Sequence, residues 1–185
     1  MIGVEASTFL DHANLVAVVH NGTCWAACIS GGLDMGPNGI VQVADLTIAM
    51  AEDELLPQVV LQWIKTFKAE FDKFCVAPPT KKFMPSYAYV TTPVLQAYST
   101  KYGICFIMTN IPVERGYRRA VNVIDVIIPE KRCDVFTTLV FKVEGNRFDY
   151  YMPKEGHIAG FDRFISESVM VCCTYVLAFL DYCVV

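Results

Sequence analysis

The stretch from Leu15 to Ser30 constrains this chain more than any other. Two apolar runs, Leu15-Val16-Ala17-Val18-Val19 and Cys24-Trp25-Ala26-Ala27-Cys28-Ile29, flank His20-Asn21-Gly22-Thr23. Asn-Gly between apolar runs is the strongest short-range hairpin signal, because a type I′ turn needs φ > 0 at both central residues. Val16, Val18 and Val19 are stiff, β-branched strand formers. The stretch predicts an antiparallel hairpin that opens a sheet and carries Trp25 on its second strand.

The rest of the chain is read around that hairpin. Residues 1–14 hold at most one helical turn, at Ser7-Thr8-Phe9-Leu10-Asp11. Gly31, Gly32, Gly36, Pro37, Asn38 and Gly39 make a turn-rich loop. Leu46, Ala49, Met50, Leu55, Val59, Trp63, Phe67 and Phe71 recur at roughly helical spacing and predict a helix over 43–74, with Asp45 as N-cap. Pro57 should kink it or divide it in two. Residues 76–98, with prolines at 78, 79, 85 and 93, read as a long loop with an edge strand near 87–90. Strands are expected at 102–110 and 120–128. A second hairpin, 135–144 with 147–152, turns at Glu144-Gly145-Asn146. From Phe161 the pattern is helical to the end. Hairpin, helix, strand meander and closing helix fit an α+β domain built on an antiparallel sheet.

Length and composition set the bounds. The 185 residues suit one domain with a sizeable core. Hydrophobic residues make up 54% and mean hydropathy is +0.39, yet no apolar run reaches the length of a membrane span. The longest, 168–185, is interrupted by Asp181 and reads as a buried terminal helix. The first residues show no basic region before an apolar core, so no signal peptide is visible. Net charge is −4 and the pI about 5.3, which argues against non-specific nucleic-acid binding. Eight cysteines without a signal peptide suggest free thiols in a reducing compartment. Their spacings include Cys24-x3-Cys28 and Cys172-Cys173 but no paired Cys-x2-Cys, so no metal site is expected.

Three constellations invite a functional reading. Gly22-Thr23-Cys24-Trp25-Ala26 looks like the local signature around a papain-like nucleophile, and His157 follows 133 residues after Cys24. That chemistry needs Cys24 at a helix N-terminus with its pKa depressed. On the hairpin reading it instead follows a turn, with Gly31-Gly32 arriving before a helix develops. His12 and His20 read as surface and turn residues. Lys81-Lys82 and Arg118-Arg119 read as solvated faces, with weak phosphoinositide binding as their functional alternative. Trp25, with Tyr175, Phe179 and Tyr182 of the last helix, is either ordinary core or an aromatic groove for proline-rich ligands, whose polyproline II form is already ordered.

Three segments resemble profilin. His20-Asn21-Gly22-Thr23-Cys24-Trp25-Ala26 is similar to the hairpin whose second strand bears Trp-Ala. Thr100-Lys101-Tyr102-Gly103-Ile104-Cys105-Phe106-Ile107 is similar to the family's central Gly-Gly-Thr-Lys-Tyr strand. Residues 140–160 are similar to its last hairpin and the glycine-bearing turn into the closing helix. The resemblance implies a single profilin-like domain over 1–185: a central antiparallel sheet flanked by terminal and internal helices, enlarged by an insert at roughly 58–98. It implies a cytoplasmic, cytoskeletal, non-enzymatic protein without cofactor that binds monomeric actin and regulates its polymerisation. Carried over by position, the actin face is Lys101, Lys154, His157, Gly160 and Arg163, with Arg132 a weaker candidate. Proline-rich partners would meet Phe9, Trp25, Tyr175 and Phe179, although the chain lacks the Trp-bearing first helix of that family. Two other readings stand beside it: a papain-like cysteine hydrolase using Cys24 and His157, and an adaptor of the longin or roadblock type that does not bind actin.

Overall fold

A computed structural model describes residues 6–76, 89–111, 121–131 and 137–183; within it, side chains are described for 9–73, 89–111, 121–131 and 137–170. The elements are α1 (Ala6–His12), β1 (Ala13–Val16), α2 (Cys24–Gly32), α3 (Gly39–Ala49) followed by a 3-10 turn (Met50–Glu52), α4 (Gln58–Val76), α5 (Thr92–Tyr102), β2 (Ile104–Asn110), β3 (Asn122–Ile127), β4 (Thr137–Glu144), β5 (Arg147–Pro153) and α6 (Ile158–Cys183). The protein is α+β, as expected. Its five-stranded sheet, in the order β1-β5-β4-β2-β3, is mixed rather than antiparallel, because β2 and β4 pair in parallel.

The parallel pair follows from the composition of β2. Ile104 to Thr109 are all buried, with no alternation between wet and dry faces. Such a run suits a central strand covered on both sides. Ile104, Phe106 and Met108 join one core with α2, α3, α4 and α5, whereas Ile107 joins a second with Phe9, Phe161 and Phe164 of α1 and α6. The sheet therefore lies between a four-helix layer and the pair α1–α6. A register shift between Met108 and Thr109 marks an irregularity where β2 meets its outer neighbour β3.

The hairpin expected at Asn21-Gly22 is replaced by a helix start. Positive φ occurs at Asp34 and at Gly36, Gly103, Gly145 and Gly156, but not at Asn21 or Gly22, so no type I′ turn forms. The Asn21 side chain folds back instead. Its Oδ1 accepts from the backbone N–H of Thr23 at 2.8 Å and from the Thr23 hydroxyl at 2.7 Å. This local turn competes with strand pairing in the manner usual for Asn. It delivers Cys24-Trp25-Ala26-Ala27 into α2.

Other expectations meet the structure more closely. Pro57 separates α3 and its 3-10 turn from α4, where Val60, Ile64, Phe67 and Phe71 form the buried stripe. The hairpin β4–β5 forms around Gly145, which takes φ +59. The long loop shrinks, because Thr92–Tyr102 is helical. Pro93 lies in its first turn, where a missing N–H costs nothing, and Gly103 closes it in the left-handed conformation at φ +68. The edge strand expected near 87–90 falls partly outside the described residues; Tyr89 and Val90 are not in a strand. No helix among the described residues is long and apolar enough to cross a membrane.

Candidate active site

Cys24 is the first residue of α2 and is fully buried. Its backbone N–H donates to the Asn21 carbonyl at 3.1 Å, and its Sγ donates to the Asn146 carbonyl of the β4–β5 turn at 3.6 Å. The next residue anchors the helix: Trp25 is also fully buried, and its indole N–H donates to the Gly22 carbonyl at 3.0 Å. Its ring meets Trp63 and Phe67 of α4 edge-on at 5.7 and 5.6 Å. The α2 N-terminus is thus held between the aromatic core below and the start of β5 above.

The electrostatics around the thiol are opposed. Burial pushes the Cys24 thiol above its ordinary value, and the nearby Asp149 carboxylate pushes the same way. Backbone hydrogen bonds from Phe148, Trp25 and Cys24 itself act against both, since each stabilises a thiolate. Cys28, one turn further along α2, is raised more strongly, by burial and then by Cys24 and Asp149. Tyr89 lies at the same locus. Its phenol is raised by desolvation and then by Cys24, and lowered by Arg147.

Asp149 is buried in β5 and its carboxylate is committed. Oδ1 accepts from the Val18 backbone N–H at 3.1 Å and pairs with His20 Nε2 at 3.1 Å. The His20 side chain keeps 34% of its surface exposed, against 11% for Asp149. A solvent-reaching imidazole thus sits on a buried carboxylate, in the loop that leads into Cys24.

The other histidines lie elsewhere. His157 and His12 approach through their Nδ1 atoms at 2.9 Å. Cys24 borders the start of β5, whereas His157 follows its end. Seven residues at about 3.3 Å each separate the two places by roughly 20 Å. The structure does not bring Cys24 and His157 together.

Of the residues expected to face actin, Lys154, His157 and Gly160 gather around His12, and Lys101 lies apart from them. Lys101 lies in the last turn of α5, on the face of the sheet opposite α6. Lys154 is half-buried, its backbone N–H donating to the His12 carbonyl at 2.8 Å. Arg163 pairs with Glu167 one turn along α6 at 3.2 Å. A Cβ on Gly160 would lie 2.6 Å from the His12 ring, so the close approach there is made within the molecule. Arg132 lies outside the described residues. The proline-binding expectation is corrected by burial. Trp25 has no exposed surface, and Phe9 is buried with its ring stacked on Phe164 at 4.0 Å. The side chains of Tyr175 and Phe179 are outside those described. Among the described residues no group of three or more His, Cys, Asp or Glu side chains is placed to hold a metal.

No protein-family model matches the sequence, and no curated protein matches it. Solved structures do match in shape. The OTU domain protease of Farallon virus aligns with a TM-score of 0.52 at 10% identity, over 84% of this chain and 90% of its own. The OTU of Hazara virus, solved bound to ubiquitin, aligns at 0.49 with 11% identity, over 79% of this chain and 84% of its own. The OTU domain protease of Qalyub virus aligns at 0.48 with 13% identity, over 79% and 87%. The Farallon virus likeness gives the class of fold: that of an OTU domain protease.

This overturns the profilin resemblance. The expectations that came with it, a non-enzymatic protein and monomeric actin as partner, go with it, because the motif that carried them opens a helix under a mixed sheet instead of a hairpin. His20 lies in a loop, as expected of a turn residue, and pairs with Asp149, which the sequence does not single out. The signal for Asp149 was an acidic residue inside the otherwise apolar Phe148-Asp149-Tyr150-Tyr151-Met152, since a charge in a strand interior is rarely buried without a partner.

Proposed function

We propose that the chain is a cysteine hydrolase that cleaves an amide bond, with Cys24 as its nucleophile. The observation that carries this reading is the placement of Cys24 as the first residue of α2. A helix N-terminus stabilises negative charge, so it favours both a thiolate and an oxyanion formed beside it. The likeness in fold to an OTU domain protease supports the same chemistry. Thiolate attack forms a thioester and expels the amine; water then releases the acid.

Substrate must reach a sulfur that is sealed under the Asn146 carbonyl. The β4–β5 turn therefore yields when substrate docks. The test is hydrolysis of a panel of fluorogenic peptide amides and a ubiquitin-derived amide by the full chain and by Cys24→Ala. Turnover abolished by the substitution, with the variant still folded by circular dichroism, supports the reading. No turnover above background by the wild-type chain contradicts it.

A further inference from the structure

We infer that His12 and His157 form a proton-dependent clasp, which ties α1 to the start of α6 while the pair carries at most one extra proton and opens when it carries two. The inference does not depend on the chemistry of Cys24.

Two elements far apart in sequence meet at this pair. His12 is the last residue of α1. His157 directly precedes α6, and its carbonyl accepts from the Phe161 N–H at 3.1 Å. The Nδ1 atoms stand 2.9 Å apart and the ring centroids 5.2 Å apart, so each ring presents its Nδ1 to the other. The surrounding backbone fixes both rings. Lys154 donates its N–H to the His12 carbonyl at 2.8 Å, and its carbonyl accepts from the His157 N–H at 2.9 Å, so one residue holds both histidines. Gly160 leaves the space in which the His12 ring lies, since a Cβ there would come within 2.6 Å of it.

Only one proton fits between two nitrogens at that separation. In the neutral pair one Nδ1–H donates to the lone pair of the other ring. One extra proton turns the donor into an imidazolium and makes the hydrogen bond charge-assisted. The helix ends select His12 as that donor, because a cation suits the C-terminus of α1 and is disfavoured at the N-terminus of α6. A second proton sets N–H against N–H and places two positive rings 5.2 Å apart. The other charged groups on the elements packed here are Asp11 of α1, Lys154 and Glu155 of the turn, and Asp162 and Arg163 of α6; β1 brings none. Lys154 is half-buried, the rest are exposed, and Arg163 is paired with Glu167. Among ordinary side chains only imidazole changes its charge between about pH 5 and 8. The unfolded chain gains two protons at these positions across that interval, whereas the closed clasp gains one. The closed state then binds fewer protons, so the clasp is complete at the alkaline end and is lost as pH falls.

The experiment is amide hydrogen exchange of the full chain, read residue by residue by NMR from about pH 7.5 to about 5 and corrected for the intrinsic pH dependence of exchange. The Lys154 amide, bonded to the His12 carbonyl, should lose on the order of tenfold in protection at the acid end, through a lost hydrogen bond and a new like-charge contact. The Phe106 amide, in the central strand, should keep its protection. His12→Gln and His157→Gln each replace one imidazole by a neutral amide, and each should abolish the acid loss at Lys154. Ring ¹⁵N shifts of the wild type, which need no variant, should show an intermediate in which His12 is protonated on both nitrogens and His157 is neutral. Wild-type protection that stays flat across the interval overturns the inference, as does an acid loss that persists in both variants. Two rings that gain their protons together, without that intermediate, also overturn it.

Discussion

Trp25→Ala tests the structural half of this account. The indole is completely buried, packs edge-on against Trp63 and Phe67, and donates to the Gly22 carbonyl. Removing a buried Trp side chain costs about 3–5 kcal/mol in lost transfer energy and cavity formation. The two aromatic contacts contribute beyond area, each on the order of 0.5–1.5 kcal/mol. The stranded carbonyl adds about 1 kcal/mol. These terms are not additive, so the expectation is a loss of about 4–6 kcal/mol, a large part of a typical domain's 5–15 kcal/mol. Trp25→Phe keeps most of the ring packing but strands Gly22, and should cost about 1–3 kcal/mol. Urea unfolding at neutral pH gives both values. A loss below about 1 kcal/mol for Trp25→Ala would mean that the indole sits on a surface, and the placement of α2 against α4 would be wrong.

Other perturbations follow from the same structure. Gly103 sits at φ +68 at the end of α5, so Gly103→Ala should cost about 1 kcal/mol in thermal or urea unfolding, and an unchanged midpoint would refute the left-handed cap. Stability should fall as pH rises from about 9 to 12: Cys24 and Cys28 are raised above 9.0 by burial, and Tyr151 is raised from 10.0 to about 12 by burial. The folded chain keeps protons that the unfolded chain gives up, so this stabilisation is complete below the unfolded pKa values and is lost above them, with Tyr151 alone worth about 2–3 kcal/mol. Flat stability across that range would contradict the burial of these groups. Arg163→Ala removes an exposed i,i+4 pair with Glu167 and should change stability by less than about 0.5 kcal/mol.

Elements whose signals are local were legible in the chain. Phe67 and Phe71 announced α4, although the stripe read from the sequence through Val59 and Trp63 is met in the structure by Val60 and Ile64, with Val59 exposed; Pro57 marked its start, and Gly145 marked the β4–β5 turn. Elements decided by a local side-chain turn or by partners distant in sequence were not. Asn21-Gly22 carries a backbone-turn signal, but the Asn21 amide satisfies Thr23 instead, and α2 replaces a strand. Pro93 reads as a breaker until it is seen in the first turn of α5. The parallel pairing of β2 with β4 joins strands 27 residues apart between Asn110 and Thr137, which no local pattern encodes. The candidate site divides the same way. Cys24 stood out by its neighbours in sequence. Its place at a helix N-terminus, and the pairing of His20 with Asp149 across 129 residues, became visible only in the fold.

The most direct test of the central claim is covalent capture of the nucleophile. The intact protein is incubated at neutral pH with a peptide carrying a thiol-reactive electrophile in place of the scissile amide, and its mass is followed. The account predicts one adduct, mapped to Cys24 by peptide sequencing, formed on the folded chain and absent in Cys24→Ala. Labelling that falls on the other cysteines, or that reaches Cys24 only after unfolding, would contradict the account and leave Cys24 as a buried core residue.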